Sequence, residues 1–410
     1  MQETIRVAHI LRRFTFEEWG GTETVVWNTV LQQRARGIHA EILATGALSA
    51  PGEEFRDGVR IRRFPYWYPY FPMTRRLKLE LDKKGGNPFS PELFRTLRKE
   101  RFDLLHIHCG GRLAVMCALT AHRTGIPCVV SLHGGFADVP KEELRNMMKP
   151  TRGHFHYGGV IDRLAGFRRS VIAEADAVIC ISRKEELLLN RRFPGRRILY
   201  LPNGVNCGDF AEKPPCSPRS EWGIPPERRL LLCISRIDYQ KNQKILLEVL
   251  RRDPECHLLL IGPVTSPRYH EELLARAHEL KVTDRLTIVP GLPPGDPRLK
   301  AILHEADLFV LPSLHEPFGI VVLEAWAAGI PVLASGVGGL RDFIVPERNG
   351  LCFDPEDPAS LIRGYDSLIR DPERRKRLAD AARADVGEYS WTALSDRLLN
   401  LYRELLDGKR

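Results

Sequence analysis

Compact apolar runs alternate along the whole chain with segments whose apolar residues return every three or four positions. In the first half the runs are Ile5–Leu11, Leu104–His108, Cys128–Leu132, Ala177–Ile181 and Ile198–Leu201, and Thr22–Arg36 is one of the helical segments between them. The second half repeats the plan, with runs at Leu230–Ser235, Leu258–Gly262, Leu286–Val289, Leu308–Leu311 and Pro331–Ser335. Helical periodicity follows at Asn242–Arg251, Arg268–Leu280, Ile320–Ala328 and Pro358–Ile369. Runs without polar alternation are strands buried on both faces, which means parallel sheets covered by crossover helices. The pattern predicts an α/β chain with two doubly wound, Rossmann-like domains.

A length of 410 residues exceeds what one core organises and fits that count. The stretch Pro202–Arg229, broken by Pro214-Pro215 and Pro225-Pro226, reads as the linker. Domain bounds of 1–202 and 203–388 follow. Residues 389–410 hold a separate amphipathic helix, Trp391–Leu406, that could pack on either domain, packing back on the first being one of the two arrangements. Met1–Leu11 reads as a first strand rather than a secretion signal, and no run approaches membrane-spanning length. Nine scattered cysteines without a CxxC spacing argue against a zinc site or a disulfide framework and for a reducing, cytoplasmic setting.

Charge divides unevenly. Residues 1–200 carry 33 Lys and Arg against 21 Asp and Glu, residues 201–410 carry 28 against 31, so the halves stand at +12 and −3. A basic first domain suits an anionic partner, a membrane surface, a phosphorylated acceptor or nucleic acid, or is a solvated basic face without one; no nucleic-acid motif accompanies it. The segment Arg60–Lys78 strengthens the membrane reading, because aromatic residues are bracketed by Arg62, Arg63, Arg75 and Arg76. Its three prolines forbid a regular amphipathic helix, so the same aromatics could pack under a loop or line an acceptor groove.

Doubly wound domains bind ligands beyond the carboxyl ends of their strands. Those ends are polar here: His108, His133-Gly134, Ser235-Arg236, Gly262, Pro312-Ser313 and Ser335-Gly336. After Leu308–Leu311 the chain runs Glu316-Pro-Phe-Gly-Ile-Val-Val-Leu-Glu324. Gly319 marks a helix start, where free backbone N–H groups and the positive end of the helix dipole suit phosphate. Apolar residues surround Glu324 on that helix, so its carboxylate needs a partner, either a ribose diol or an arginine of the same chain. Arg236 and Lys241 share one loop and suit a diphosphate, Arg in a bidentate manner and Lys as a point charge. Gly20 and Gly21 open the helix Thr22–Arg36, with Thr22 or Thr24 as its cap, and would let a donor approach the backbone. No GxGxxG, no P-loop and no pair of aspartates one residue apart occurs, which removes the usual metal-binding pair of other sugar transferases.

Together Gly20-Gly21-Thr22-Glu23, His106-Ile-His108, Ser131-Leu-His133-Gly134, Leu201-Pro-Asn-Gly-Val205, the Arg236/Lys241 loop, Ala306–Ser313, Glu316…Glu324, Gly329–Ser335 and Gly338-Gly339 resemble the retaining glycosyltransferases of family 4. The resemblance implies a GT-B fold, with two Rossmann-like domains facing across a cleft. It implies Arg236 and Lys241 on the donor diphosphate, Glu324 on the ribose, Glu316 on hydroxyls of the transferred sugar, the backbone amides around Phe318, Gly319, Ile320 and Val321 on phosphate and sugar, and His133 reaching that sugar. His133 then reads as a positioning donor rather than a general base, with base chemistry open to an imidazole of ordinary pKa. It also implies retention of anomeric configuration without a metal or cofactor. A carboxylate nucleophile would need an acid on the face opposite the nucleotide, for which the sequence offers no candidate, so front-face attack is expected, with the leaving phosphate taking the acceptor proton. The donor would be a UDP- or GDP-sugar delivering a hexosyl or N-acetylhexosaminyl group. A glycan, a lipid-linked or a small-molecule acceptor would receive it, as in polysaccharide or glycolipid biosynthesis. Asn242 stands where the family commonly has glycine, Pro263 follows Gly262, and Asp342 replaces a commoner glutamate. A non-catalytic nucleotide-sugar sensor, an epimerase or a phosphorylase are the alternatives on the same shell.

Overall fold

The computed structural model describes residues 5–408 except 18, 135–150, 152, 165 and 294. The chain divides into two compact units, 1–202 with 394–410, and 203–393. No helix among the described residues is long and apolar enough to cross a membrane.

The first unit is built on an eight-stranded sheet. In spatial order its strands are Ile198–Tyr200, Ala177–Cys180, Cys128–Leu132, Leu104–Ile107, Arg6–Arg13, His39–Thr45, Val59–Phe64 and Gly52–Arg56. All pairings are parallel except that of the last, edge strand. Successive side chains of a strand point to opposite faces. Ala8 and Ile10 accordingly join the core beneath the helix Gly111–Thr124, whereas Val7 joins a second cluster with Leu104, Val129 and Ile179. That second cluster is closed by Leu398, Leu401 and Tyr402 of the helix Trp391–Asp407.

The second unit has six parallel strands in the order Leu286–Val289, Cys256–Ile261, Arg229–Ile234, Leu308–Leu311, Val332–Ser335, Leu351–Phe353. Its strand order reverses between Arg229–Ile234 and Leu308–Leu311, where Leu231 pairs with Leu308. In the first unit the reversal lies between Arg6–Arg13 and Leu104–Ile107, where His9 pairs with His106. Such reversals open a crevice at the strands' carboxyl ends.

Several elements depart from the sequence expectation. The linker belongs to the second unit and carries a 3₁₀ turn, Cys207–Phe210, and a short helix, Pro218–Glu221. Asn242–Arg251 is not one helix but a 3₁₀ turn, Gln243–Leu246, followed by Leu247–Arg252. Neither Thr22 nor Thr24 caps the first helix: Gly20 is the cap residue, and the Thr24 hydroxyl donates back to the Gly20 carbonyl at 3.0 Å.

Arg62 and Arg63 are not membrane-facing. They lie on the strand Val59–Phe64, with Arg62 bonded to Glu100 at 2.6 Å and to the fully buried Glu41 at 3.1 Å, and Arg63 to Glu54 at 2.7 Å. Tyr66 and Tyr68 likewise turn inward, both donating to the Asp82 carboxylate at 2.8–2.9 Å. What stays exposed is Phe71, paired in a two-stranded sheet with the equally exposed Phe155, and the nearby Met73, Arg75 and Arg76.

Candidate functional site

At the reversal point of the second unit, two loops leave adjacent strands and are laced together. Leu314 N–H donates to the Gln240 carbonyl at 2.8 Å, and the Gln240 side-chain amide donates to the His315 carbonyl at 3.1 Å. This brings Lys241 and Glu316 into contact, Nζ to Oε2 at 2.6 Å, with both side chains nearly buried. Ser313 Oγ donates to the same carboxylate oxygen at 3.1 Å. A third loop fixes the Glu316 backbone, since Gly339 N–H donates to its carbonyl at 2.9 Å. Gly338 crosses so closely that a Cβ there would lie 2.0 Å from the Glu316 carbonyl oxygen, and its φ of 53° is a left-handed conformation that glycine adopts without strain.

Asn242, the departure from glycine after the lysine, also has a left-handed φ of 53°. Asparagine tolerates that region better than most residues, so the substitution preserves the turn. Gly262 has a packing reason of its own, because a Cβ would sit 2.0 Å from the Ser235 carbonyl. Arg236, next along, is half exposed and bonded to Asp238 and Gln240, each at 3.2 Å.

Gly319, with φ of 91°, precedes the helix Ile320–Ala327 as expected. Phe318 and Trp326 pack against Phe343 and anchor the helix. Glu324 is half-buried on it, and no arginine or other hydrogen-bonding partner meets its carboxylate among the described residues. Burial, reinforced by the Asp209 carboxylate and opposed by Lys300, pushes Glu324 up to about 7. Asp209 and Lys300 are themselves paired at 3.1 Å. An acid poised at neutrality without a protein partner is suited to accept hydrogen bonds from a diol.

In the first unit a cavity of about 480 Å³ opens at the reversal point, bordered by Arg12, Arg13, Glu23, Asn87, His108 and His133. Gly20 and Gly21 lie just before it, and a side chain at Gly21 would meet open space. Glu23 is buried, which raises its pKa, and lies 3.5 Å from Arg13. His133 is hydrogen-bonded to His108, His108 to His9, and His9 to Gln33. His106 bridges Tyr402 and Ser131. His9, His106 and His108 bring their nitrogens within 4.8 Å of one another, a spacing compatible with a metal ion. All six nitrogens are nevertheless engaged in hydrogen bonds, so no lone pair is spare for a cation.

Thus the structure gathers Lys241, Glu316, Phe318 and Gly319 on neighbouring loops of one unit, with Ile320, Val321 and Glu324 on the helix that follows and Arg236 beside the lysine, and places Gly20, Gly21 and His133 in the other. Sequence reasoning missed Ser313 as a partner of Glu316, and missed His9, Gln33 and Tyr402 altogether. A histidine at the centre of the apolar run Ile5–Leu11 was the one available signal.

The comparisons agree with this architecture. Residues 218–385 match the family described as glycosyl transferases group 1, and residues 20–204 match the glycosyl transferase 4-like domain. The chain is 32% identical over 402 residues to a D-inositol 3-phosphate glycosyltransferase of Segniliparus rotundus, covering 95% of this chain and 85% of that one. It is also 32% identical over 393 residues to an uncharacterized glycosyltransferase of Methanocaldococcus jannaschii, covering 90% of each. Among solved structures, sucrose-phosphate synthase from Thermosynechococcus elongatus superposes with a TM-score of 0.72 at 21% identity, over 98% of this chain and 100% of that one. Anabaena HepE in complex with UDP and glucose gives 0.72 at 18%, with the same coverage. These likenesses establish the fold.

Proposed function

The chain belongs to the group 1 glycosyltransferases and has the GT-B fold, and from that premise we propose that it is a retaining enzyme using a UDP- or GDP-sugar. The observation that carries the donor reading is Glu324, a half-buried carboxylate without a protein partner on the helix that follows Gly319. Nucleotide ribose hydroxyls would satisfy it, phosphate oxygens would meet the backbone N–H groups of Gly319 to Val321, and Arg236 and Lys241 would balance the diphosphate charge. Glu316 would hold hydroxyls of the hexosyl or N-acetylhexosaminyl group, and the first unit's cavity would receive sugar hydroxyls at His133.

In this reading the acceptor hydroxyl attacks the anomeric carbon on the face the nucleotide leaves. The carbon–oxygen bond to phosphate breaks, and the acceptor proton passes to the departing phosphate oxygen, whose charge Arg236 and Lys241 stabilise. No metal or cofactor enters, so turnover is expected to proceed in EDTA. The acceptor is a glycan, a lipid-linked or a small-molecule sugar, with peripheral attachment to an anionic membrane through Phe71, Phe155, Arg75 and Arg76.

A thermal-shift screen with UDP, GDP, ADP and their sugar conjugates, followed by a donor-turnover assay, tests this reading. A ligand of the folded state raises the melting temperature by mass action. Stabilisation by none of these nucleotides would overturn the donor assignment; binding without turnover or transfer would favour a sensor.

A further inference from the structure

Three ring-to-ring and ring-to-amide hydrogen bonds form one line through the first unit. Gln33 Oε1 lies 2.8 Å from His9 Nε2, His9 Nδ1 lies 2.9 Å from His108 Nε2, and His108 Nδ1 lies 3.0 Å from His133 Nε2. His133 Nδ1, at the end of the line, is buried and has no partner among the described residues. Both His108 and His133 border the cavity.

All the rings are neutral near pH 7, because burial holds His9 and His133 down at about 4 and His106 and His108 well below their ordinary value. A neutral imidazole has one N–H and one lone pair, so fixing one ring at the end of a line fixes the others in turn. Gln33 fixes it. Its Nε2 donates to the Tyr402 hydroxyl at 3.3 Å, which turns its carbonyl toward His9. A carbonyl only accepts, so His9 donates from Nε2 and presents a lone pair at Nδ1. His108 donates into that lone pair from Nε2, and His133 donates from Nε2 into the lone pair left on His108 Nδ1.

We propose that Gln33, His9 and His108 are positioning residues that lock His133 as its Nε2–H tautomer, so that His133 Nδ1 is a hydrogen-bond acceptor for the cavity's ligand. The site then selects a ligand presenting a hydroxyl or amine hydrogen at that point and disfavours a carboxylate or carbonyl oxygen, two lone pairs in opposition being repulsive. This reverses the donor role expected for His133. The proposal rests on the reading of the cavity as a sugar site, but the tautomer itself is measurable without any substrate.

The test is long-range proton–nitrogen NMR on the full chain labelled with nitrogen-15 in histidine, with the His133 signals assigned by their loss in His133→Asn. The expected result is a protonated Nε2 and a bare Nδ1 at His133. In Gln33→Met, and in Tyr402→Phe, which removes the hydroxyl that orients Gln33 and also bonds His106, both tautomers of His133 should be populated, and Gln33→Glu, which keeps an acceptor facing His9, should retain the single form. A wild-type His133 protonated on Nδ1, or an unchanged tautomer in a folded Gln33→Met variant, would overturn the proposal. Failure to bind any nucleotide sugar would instead defeat the proposed function and leave the tautomer result standing.

Discussion

Lys241 Nζ and Glu316 Oε2 stand 2.6 Å apart, so the lysine assigned to the diphosphate and the glutamate assigned to the sugar are ion-paired to each other. Removing one partner leaves the other charge nearly buried and uncompensated. Breaking such a pair costs about 3–5 kcal/mol, whereas replacing both partners by neutral groups of similar shape can be close to neutral. Glu316→Gln and Lys241→Met are each expected to lower denaturant stability at pH 7 by that order, with the double variant recovering most of it. Donor turnover should stay depressed by orders of magnitude in all three. Additive losses in the double variant would contradict the coupling.

Glu324 titrates near neutrality, and its elevated pKa gives a sign to the effect. Between the ordinary carboxyl value and about 7 the folded protein holds a proton there that the unfolded chain releases, so this group makes stability fall as pH rises through that window. Hydrogen bonds from a ribose favour the ionised form, so nucleotide binding at pH 6.5–7 should release a proton. Calorimetry of UDP or GDP in buffers of different ionisation enthalpy reads that release directly, and Glu324→Gln should abolish it. For Glu324→Ala and Arg236→Ala, loss of a charged contact to the ligand of roughly 2–5 kcal/mol predicts near-complete loss of transfer with the fold intact.

The Gly338 crossing makes a sharper steric test. A Cβ at Gly338 cannot avoid the Glu316 carbonyl without moving the loop, and the left-handed φ adds strain. Gly338→Ala should cost about 1–3 kcal/mol and reduce donor affinity along with turnover, although no side chain that would touch the donor has been changed. Unaltered affinity in this variant would show that the loop is not what places Glu316.

Acid sensitivity follows from the histidine line. His9, lowered to about 4, remains neutral in the folded state while the unfolded chain protonates at about 6.5. Stability from this residue is complete above pH 6.5 and is lost as pH falls toward 4, at up to about 1.4 kcal/mol per unit. Denaturation curves between pH 7 and 4.5 should show a steeper loss than those of His9→Gln.

For membrane attachment the expected readout is co-sedimentation with anionic vesicles that weakens with salt. Substituting Phe71, Phe155, Arg75 and Arg76 by serine should remove it, whereas neutralising Arg62 or Arg63 should unfold the strand rather than report on lipid. Equal indifference to anionic and neutral vesicles at low salt would turn the acceptor prediction toward a soluble sugar.

How far the sequence reveals this molecule depends on whether a residue's partners are close in the chain. Leu286–Val289 and Leu308–Leu311 have the same ends in pattern and structure, being uninterrupted apolar runs. His39–Thr45 and Val59–Phe64 escaped because Glu41, Arg62 and Arg63 interrupt the apolar pattern, and their charges are compensated across the sheet rather than along the strand. The Glu316–Glu324 segment was legible because loop and helix are contiguous. The histidine line was not, since joining residues 9, 33, 108 and 133 requires the strand order, and Tyr402 arrives from the far end of the chain.

That arrival has a consequence for how the molecule is made. The face of the first sheet bearing Val7, Leu104 and Val129 waits for Leu398, Leu401 and Tyr402, which a ribosome delivers only after all of residues 203–393. At about 5–20 residues per second, the second unit emerges and can close while the first still shows an uncovered apolar surface. During synthesis the order of completion is therefore reversed relative to the order of the chain, and the first half passes through an interval with an aggregation-prone apolar face that a version ending near residue 390 would never cover.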